Sequence, residues 1–242
     1  MTTLLRMLRN VADDLTVERQ ATVIDSTDNT ARLLLVQANR EGRFLIRRHN
    51  WTSLVRPHTF VTVIGTAEYP LPSDYRRLLS QTEWDRTNKR PLSGPVDVVD
   101  WEVLKSSGLG SGLIGYRFRI VRSSSTTSRM VVVDPTPTVA NETLAFEYIS
   151  DCFCASSGGT PQNEWLADTD VAILDPDIME LGIQVRYRRS RGMAFGSEAD
   201  EYTQLVDQAV GDDMPSKVLN LNSTRPSGLL GVRNLPETGY GS

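Results

Sequence analysis

The two cysteines are the first residues in this chain whose type and spacing could do chemistry. Cys152 and Cys154 form a C-x-C pair. A structural zinc site needs four ligands, and neither a second cysteine pair nor a histidine lies near them in the sequence. Free cysteine otherwise behaves as a small hydrophobic residue. The pattern therefore predicts two ordinary buried or half-buried thiols and no metal site.

The two histidines are candidates for acid–base or nucleophilic catalysis. Such catalysis needs an activated nucleophile beside a positioned acid or base. The sequence contains no G-x-S-x-G motif, and neither His49 nor His58 lies in a catalytic motif. We expect packing or surface roles for both.

Paired carboxylates are a third kind of candidate. They occur at Asp13 and Asp14, at Asp168 and Asp170, and at Asp175 and Asp177. A glycosidase needs two carboxyls on opposite sides of one cleft, which adjacency in sequence does not supply. Asp175 and Asp177 fit the first turn of a helix, where the helix dipole stabilises negative charge. Asp168 and Asp170 could bind a cation, but the pattern of a calcium loop is absent.

A glycine-rich segment resembles a phosphate-binding loop only superficially. Gly108, Gly110 and Gly112 alternate with other residues, but no Lys-Ser/Thr follows and no strand–turn–helix context surrounds them. A loop is the better interpretation. The sequence thus predicts no catalytic residue, no cofactor-binding residue and no metal ligand.

Four arginines close together form the last candidate site. They are Arg186, Arg188, Arg189 and Arg191. At the end of a predicted helix, they could cap the helix and interact with its dipole as solvated charges. Alternatively, they could form an inter-subunit site that meets carboxylates on a neighbouring subunit or a partner. Both interpretations stay open at this point.

Composition excludes several classes of protein. The chain has 242 residues, with 26 basic and 30 acidic side chains, so its net charge is −4. Nucleic-acid binding through bulk charge is disfavoured, because a protein that neutralises phosphates is usually basic. No apolar run approaches the ~20 residues of a membrane span, and no signal peptide opens the sequence, so we expect no membrane partner. Two cysteines cannot build a disulfide scaffold and fit a reducing compartment.

Hydrophobic periodicity predicts the helices and strands that must position these residues. Helices are predicted over Leu4–Leu15, from Ser26 to about His49, from Asp175-Pro176 onward, and from Ser197 to Gly211. Strands are predicted over Thr59–Ile64, Glu68–Leu71, Tyr116–Val121, Arg129–Asp134 and Leu144–Ser150. Because no helices alternate with the strands, the sheet should be antiparallel.

The predicted fold class is α+β: a helical bundle formed by N- and C-terminal helices, with an inserted antiparallel β domain and an extended C-terminal tail. The predicted parts are an N-terminal helical part at 1–58, a β domain with long loops at 59–170, a C-terminal helical part at 171–213 and the tail at 214–242. Prolines and glycines leave the tail without helical or strand periodicity, so we expect it to be disordered in the isolated chain.

Between Tyr69 and Tyr75, Pro70 and Pro72 impose extended backbone and withhold two amide donors. The segment should therefore form the edge of a sheet, where its missing amide donors prevent another strand from pairing with it. We expect Tyr69, Leu71 and Tyr75 to anchor it on the β core, and Asp74 to cap the following turn.

One long ordered pattern runs through most of the chain, roughly from Leu4 to Gly211. Its pieces include Asp25-Ser26-Thr27-Asp28, Asn39-Arg40-Glu41-Gly42, Tyr69-Pro70-Leu71-Pro72-Ser73-Asp74-Tyr75, Trp84-Asp85-Arg86-Thr87-Asn88, Phe146-Glu147-Tyr148-Ile149-Ser150 and Trp165-x-Ala167-Asp168-Thr169-Asp170. In order and spacing this pattern resembles the head-to-tail adaptor, or connector, proteins of tailed bacteriophages, and is similar to the tubular protein A of short-tailed phages.

The resemblance implies a structural virion protein and not an enzyme. Such a protein forms a homo-oligomeric, dodecameric ring under the portal protein, joins the capsid to the tail tube or nozzle protein, and lines the channel through which double-stranded DNA passes without sequence-specific binding. It would be assembled in the host cytoplasm and sit at the head–tail interface. An acidic chain suits a channel along which DNA must slide. The alternative is a tail-associated glycosidase that degrades peptidoglycan.

The resemblance also gives the tail a predicted role as the portal-binding arm. Its apolar residues are too many for an inert linker and too interrupted for a core of their own. They are Leu219, Leu221, Leu229, Leu230, Val232 and Leu235. An extended segment of this kind can lie along a partner and place single apolar side chains in pockets.

Overall fold

The computed structural model describes residues 2–106, 115–122 and 128–213. The helices in these ranges are α1 (Leu4–Asp14), α2 (Asn29–Arg48), α3 (Val98–Ser106), α4 (Pro176–Arg191) and α5 (Gly196–Asp213). The strands are β1 (Val55–Val61), β2 (Glu68–Pro70), β3 (Tyr75–Leu78), β4 (Trp84–Asp85), β5 (Arg90–Pro91), β6 (Arg117–Arg122), β7 (Arg129–Asp134), β8 (Thr143–Ser150), β9 (Cys154–Ala155), β10 (Pro161–Gln162) and β11 (Val171–Ala172). Both the glycine-rich segment 108–112 and the tail at 214–242 lie outside the described residues.

Helices from the two ends of the chain form one bundle, in which α4 contacts α1, α2 and α5. Their apolar faces meet in a shared core that includes Leu8, Leu34, Ile183 and Val206. The α+β class with a bundle of N- and C-terminal helices is therefore confirmed. Among the described residues, no helix combines the length and apolar character needed to cross a bilayer.

The ends of the helices follow local capping chemistry. The Asp28 carboxylate accepts hydrogen bonds from the amides of Thr30 and Ala31, both at 2.9 Å, so α2 begins at Asn29 and the predicted start at Ser26 is wrong. Asp25 lies in the turn before α2. Its φ of 62° is outside the range of a right-handed helix.

The start of α4 is confirmed. Asp175 caps it by accepting a hydrogen bond from the Asp177 amide, and Pro176 takes the first helical position. By contrast, the predicted end of α5 at Gly211 is wrong, because the helix continues to Asp213. Glycine ends a helix when it adopts left-handed backbone, as Gly192 does after α4 with a φ of 69°; Gly211 does not.

The β region contains three small antiparallel sheets. The largest has the order β1-β8-β4-β5, with β3 also paired to β8; the others are β2-β7-β6 and β10-β9-β11. Strands β7 and β8 coincide closely with their predictions. Strand β1 covers Val55–Val61 instead of the predicted Thr59–Ile64, and Pro57 is tolerated because β1 is an edge strand.

A second core lies within the β region, and it confirms the predicted anchoring of the proline-rich segment. Tyr69, Leu71 and Tyr75 are buried there, and β2 lies at the edge of its sheet. The predicted role of Asp74 is wrong. Its carboxylate accepts hydrogen bonds from the hydroxyls of Tyr148, at 2.9 Å, and Ser150, at 2.7 Å, so it ties the segment to β8 instead of capping a turn.

Candidate assembly surfaces

The arginine cluster occupies the last two turns of α4, and its members differ in what they contact. Arg186 forms an ion pair with Glu41 of α2, and its guanidinium lies 5.0 Å from the centre of the Phe44 ring. Arg188 pairs with Glu198 of α5 at 2.7 Å. These two arginines join helices within the chain.

The other two arginines of the cluster face outward. Arg189 is exposed, and the exposed Arg191 lies 5.5 Å from the centre of the Tyr187 ring. Positive charge in the last turn also suits the negative end of the helix dipole. The structure thus separates the predicted group into an inner pair that stabilises the bundle and an outer pair that can meet a partner.

Glu41 is a buried carboxylate that the sequence analysis missed. Only 1% of its surface is exposed; Arg186 donates a hydrogen bond to Oε2 and the Tyr202 hydroxyl donates one to Oε1. Burial raises the pKa of the Glu41 carboxyl, and the hydrogen bonds from Tyr202 and Arg186 oppose that shift. Burial and the neighbouring Glu41 both raise the pKa of Tyr202.

Two glycines make room for large side chains here, Gly182 for Glu41 and Gly42 for Phe153. A Cβ on Gly182 of α4 would lie 2.4 Å from Cδ of Glu41, and a Cβ on Gly42 would lie 2.3 Å from the Phe153 ring. The signal was present in the sequence: Glu41 and Gly42 occupy a place in the apolar stripe of α2, between Ala38 and Leu45, where a core residue would otherwise be expected.

A groove of about 620 Å³ opens above the buried carboxylate, between α2, α4 and α5. Its outer wall includes Arg40, Phe44, Arg189 and Phe195. The groove therefore presents positive charge and aromatic surface together, a combination suited to contacts with an acidic and apolar protein surface.

The end of α5 is fixed by its last described residue. The Asp213 carboxylate accepts hydrogen bonds from the amide of Thr52 at 3.0 Å and from its hydroxyl at 2.5 Å, and Nε2 of His49 lies 3.1 Å from Oδ2. The point from which the tail departs is thus attached to the segment between α2 and β1. His49 has the packing role that we expected.

Comparison with known protein families shows to which family the chain belongs. The sequence matches the SU10 adaptor protein family over residues 2–225, which is nearly the whole chain. The chain belongs to this family. No curated protein matches the sequence.

The apolar end of the β region is a surface of this adaptor that the sequence analysis also missed. Val63, Ile64 and Val139 are more than half exposed. The two loops that carry them are held together, because the Gly65 amide donates to the Pro137 carbonyl at 3.0 Å and the Thr62 hydroxyl donates to the Val139 carbonyl at 2.9 Å. Exposed apolar side chains held together in this way form a candidate contact surface.

Helix α3 lies at the same end of the adaptor, where Lys105 donates a hydrogen bond to Asp134 at the end of β7. Trp101 and Leu104 are its buried residues. Its opposite face exposes Val98, Val99 and Val103 at 54%, 67% and 52%. A helix that is apolar on both faces is normally covered on both faces.

The cysteines and His58, weighed above as catalytic candidates, are packed inside the adaptor. Cys152 and Cys154 are buried, and burial raises the pKa of Cys152 to about 11 and also raises that of Cys154, whereas reactive thiols have a lowered pKa. His58 lies among aromatic rings, 5.1 Å from Phe146 by ring centres, and burial lowers its pKa. The predicted packing roles of these residues are confirmed.

The carboxylates Asp168 and Asp170 bind backbone amides. Asp168 accepts from Val23 and Ile24, the latter at 2.9 Å. Asp170 accepts from the amides of Leu166 and Ala167, both at 2.8 Å. Within residues 2–106, 115–122 and 128–213, no group of three or more His, Cys, Asp or Glu side chains is placed to hold a metal ion.

Proposed function

We propose that this protein is the head-to-tail adaptor of a tailed bacteriophage, a structural virion component that forms a dodecameric ring under the portal and joins the capsid to the tail. The family match over residues 2–225 is the observation that carries this proposal. The proposal includes the closer likeness to tubular protein A, assembly in the host cytoplasm and passage of double-stranded DNA through the lumen of the ring.

Surface chemistry supports an assembly role. A ring of identical subunits needs two different faces on each subunit, because each copy contacts one neighbour on each side. The groove with its arginines lies on the helical bundle, and the exposed apolar side chains of α3 and the neighbouring loops lie on the β region. Within the proposed ring, Arg189 and Arg191 of the arginine cluster meet carboxylates of another subunit, while Arg186 and Arg188 hold the bundle.

We propose further that the tail at 214–242 is the portal-binding arm. Its candidate contacts are Leu219, Leu221, Leu229, Leu230, Val232 and Leu235. Because Asp213 is attached to Thr52 and His49, all copies in a ring would present the arm from the same place on the subunit. Weak contacts from each arm would then add up through avidity.

The ring is tested by electron microscopy of the purified protein, alone and mixed with portal from the same phage. We expect weak self-association alone and a ring on the portal, since a ring that closed early would compete with ordered assembly. The absence of a ring on portal particles would contradict the proposal.

The arm is tested with a chain that ends at Asp213, which retains the anchoring carboxylate. This variant should keep the melting temperature of the full chain and fail to sediment with portal particles. Undiminished binding to portal would place the joint on the bundle or the β region instead. A turnover assay of the full chain on peptidoglycan separates the adaptor from the glycosidase alternative, which nothing in the comparisons supports.

A further inference from the structure

The outer face of α2 is basic along its length. Its exposed residues recur every three or four positions, which places them on one side of the helix. They are Arg32, Val36, Arg40, Arg43, Phe44, Arg47 and Arg48. The acidic residue of α2 is Glu41, which is buried and paired with Arg186. The face therefore combines five arginines with two exposed apolar side chains. Arg43 is paired with Glu164 and Arg48 with Asp207, so Arg32, Arg40 and Arg47 supply the positive charge for a partner.

The outer face of α3 has the opposite charge. Val98, Val99 and Val103 are exposed there, and the acidic side chains of Asp100 and Glu102 are exposed beside them. The basic residue of α3, Lys105, is engaged with Asp134. This face therefore combines apolar surface with negative charge.

The two faces are complementary, and they lie on separate parts of the subunit. Helix α2 belongs to the core of the bundle, whereas α3 lies against the β region and contacts the end of β7. Among residues 2–106, 115–122 and 128–213, nothing covers the outer face of α3, where Val99 is 67% exposed. A head-to-tail contact joins two different faces of the subunit, and opposite charges on those faces favour it.

From this complementarity we infer that the outer face of α2 in one copy packs against the outer face of α3 in the next copy. The inference rests on the ring of the proposed function and names its interface. Val36 and Phe44 then meet the valines of α3, while the arginines of α2 meet Asp100 and Glu102. A helix of nine residues is about 14 Å long, so the contact is small and each interface is weak by itself.

Two charge-reversed variants test this contact. Variant A carries Arg40→Glu and Arg47→Glu on α2, and variant B carries Asp100→Arg and Glu102→Arg on α3. In a ring made of either variant alone, like charges face each other at every interface. In an equal mixture, A and B can alternate around the ring, and every interface again joins opposite charges.

Rings on portal are counted by electron microscopy, and portal-templated binding is titrated. Each variant alone should need at least about tenfold more protein than the wild type to form rings, and the equal mixture should recover the wild-type titration. A chain with Arg86→Glu and Arg122→Glu, two exposed arginines elsewhere, is the matched control and should behave as wild type. Far-UV circular dichroism and thermal melting check that A and B are folded.

The outcomes separate this inference from the proposed function. If the wild type forms no ring on portal, the proposed function fails. If the wild type forms rings and A and B do so equally well on their own, the α2–α3 contact is overturned. Rings of A that form normally but retain less DNA would also overturn it, because α2 would then face the nucleic acid.

A second measurement covers the case in which a charge-reversed chain does not fold. Val36→Cys and Val99→Cys together place one thiol on each face, and the native cysteines are buried. On the portal, mild oxidation should give a ladder of covalent dimers, trimers and larger species. Chains with only one of the two substitutions should give no ladder, and a double variant that stays monomeric would overturn the inference.

Discussion

The helical bundle and the β region pair their buried carboxylates alike but differ in how many large apolar side chains they expose. In both regions buried carboxylates are paired within the chain: Glu41 with Arg186 in the bundle, and Asp85 with Arg90 in the β region. Of the twelve large apolar side chains that are exposed in the described residues, nine lie between β1 and the start of α4. The comparison indicates that the β region presents most of the apolar surface left for partners.

The largest expected effect is in the bundle core, at Phe153. Its ring is fully buried, packs against Trp165 and leaves room only for a glycine at position 42. Phe153→Ala should lower the free energy of unfolding by about 3–5 kcal/mol, as measured by urea denaturation. Phe44→Ala, at a 39% exposed position of the same bundle, is the control and should cost much less. Equal effects would mean that Phe153 is not part of the stabilising core.

The next effect concerns the pH dependence of the buried carboxylate. Because the pKa of Glu41 is raised in the folded protein, the folded state holds this proton more tightly than the unfolded state does. The contribution of Glu41 to stability therefore falls as the pH rises above the ordinary glutamate pKa of ~4.3 towards its folded pKa. The difference in unfolding free energy between wild type and Glu41→Gln, measured by denaturation across this range, should decrease with rising pH. An increase would show that Arg186 and Tyr202 outweigh burial.

A smaller effect is expected at the end of α5. A chain that ends at Gly211 loses the hydrogen bonds of Asp213 to Thr52, whereas a chain that ends at Asp213 keeps them. The shorter chain should be less stable by about 1–3 kcal/mol, seen as a lower melting temperature. Identical melting curves for the two truncations would show that the anchor contributes nothing to stability.

The smallest effect on stability is expected at the apolar end of the β region. Val63→Ser with Ile64→Ser should change the unfolding free energy by less than about 0.5 kcal/mol, because both side chains are more than half exposed. The same pair should weaken binding to portal or tail particles in a sedimentation assay. A large loss of stability with unchanged binding would reverse the roles that we assign to the two regions.

Periodicity was sufficient to predict the bundle helices and strands β7 and β8, although the predicted helix ends at Ser26 and Gly211 and the bounds of β1 were wrong. The apolar stripes of α1 and α2, Asp175-Pro176 at the start of α4, and alternation in β7 and β8 all lie within single segments of sequence. Strands of two residues, such as β4 and β9, are too short to show a period. Strand β4 pairs with β8 and β9 pairs with β11, and both of these partners lie outside the local sequence pattern.

The assembly surfaces were only partly predictable. The arginine cluster was visible in the sequence, but its division into inner and outer pairs depends on Glu41 and Glu198, which α2 and α5 bring to α4. Likewise, the sequence of α3 is apolar on several sides, and only packing determines that Trp101 is buried while Val99 is exposed. The prediction was therefore limited mainly by contacts with residues from distant segments, which a local sequence pattern does not reveal.

The most direct measurement of the central claim is electron microscopy of particles made by a phage whose gene for this protein carries an early stop codon. A head-to-tail adaptor predicts capsids and tail components that fail to join, with tailed virions restored when the protein is supplied from a plasmid. Intact tailed particles in the absence of the protein would contradict the account, and intact particles that adsorb but fail to infect would favour a cell-wall-degrading role instead.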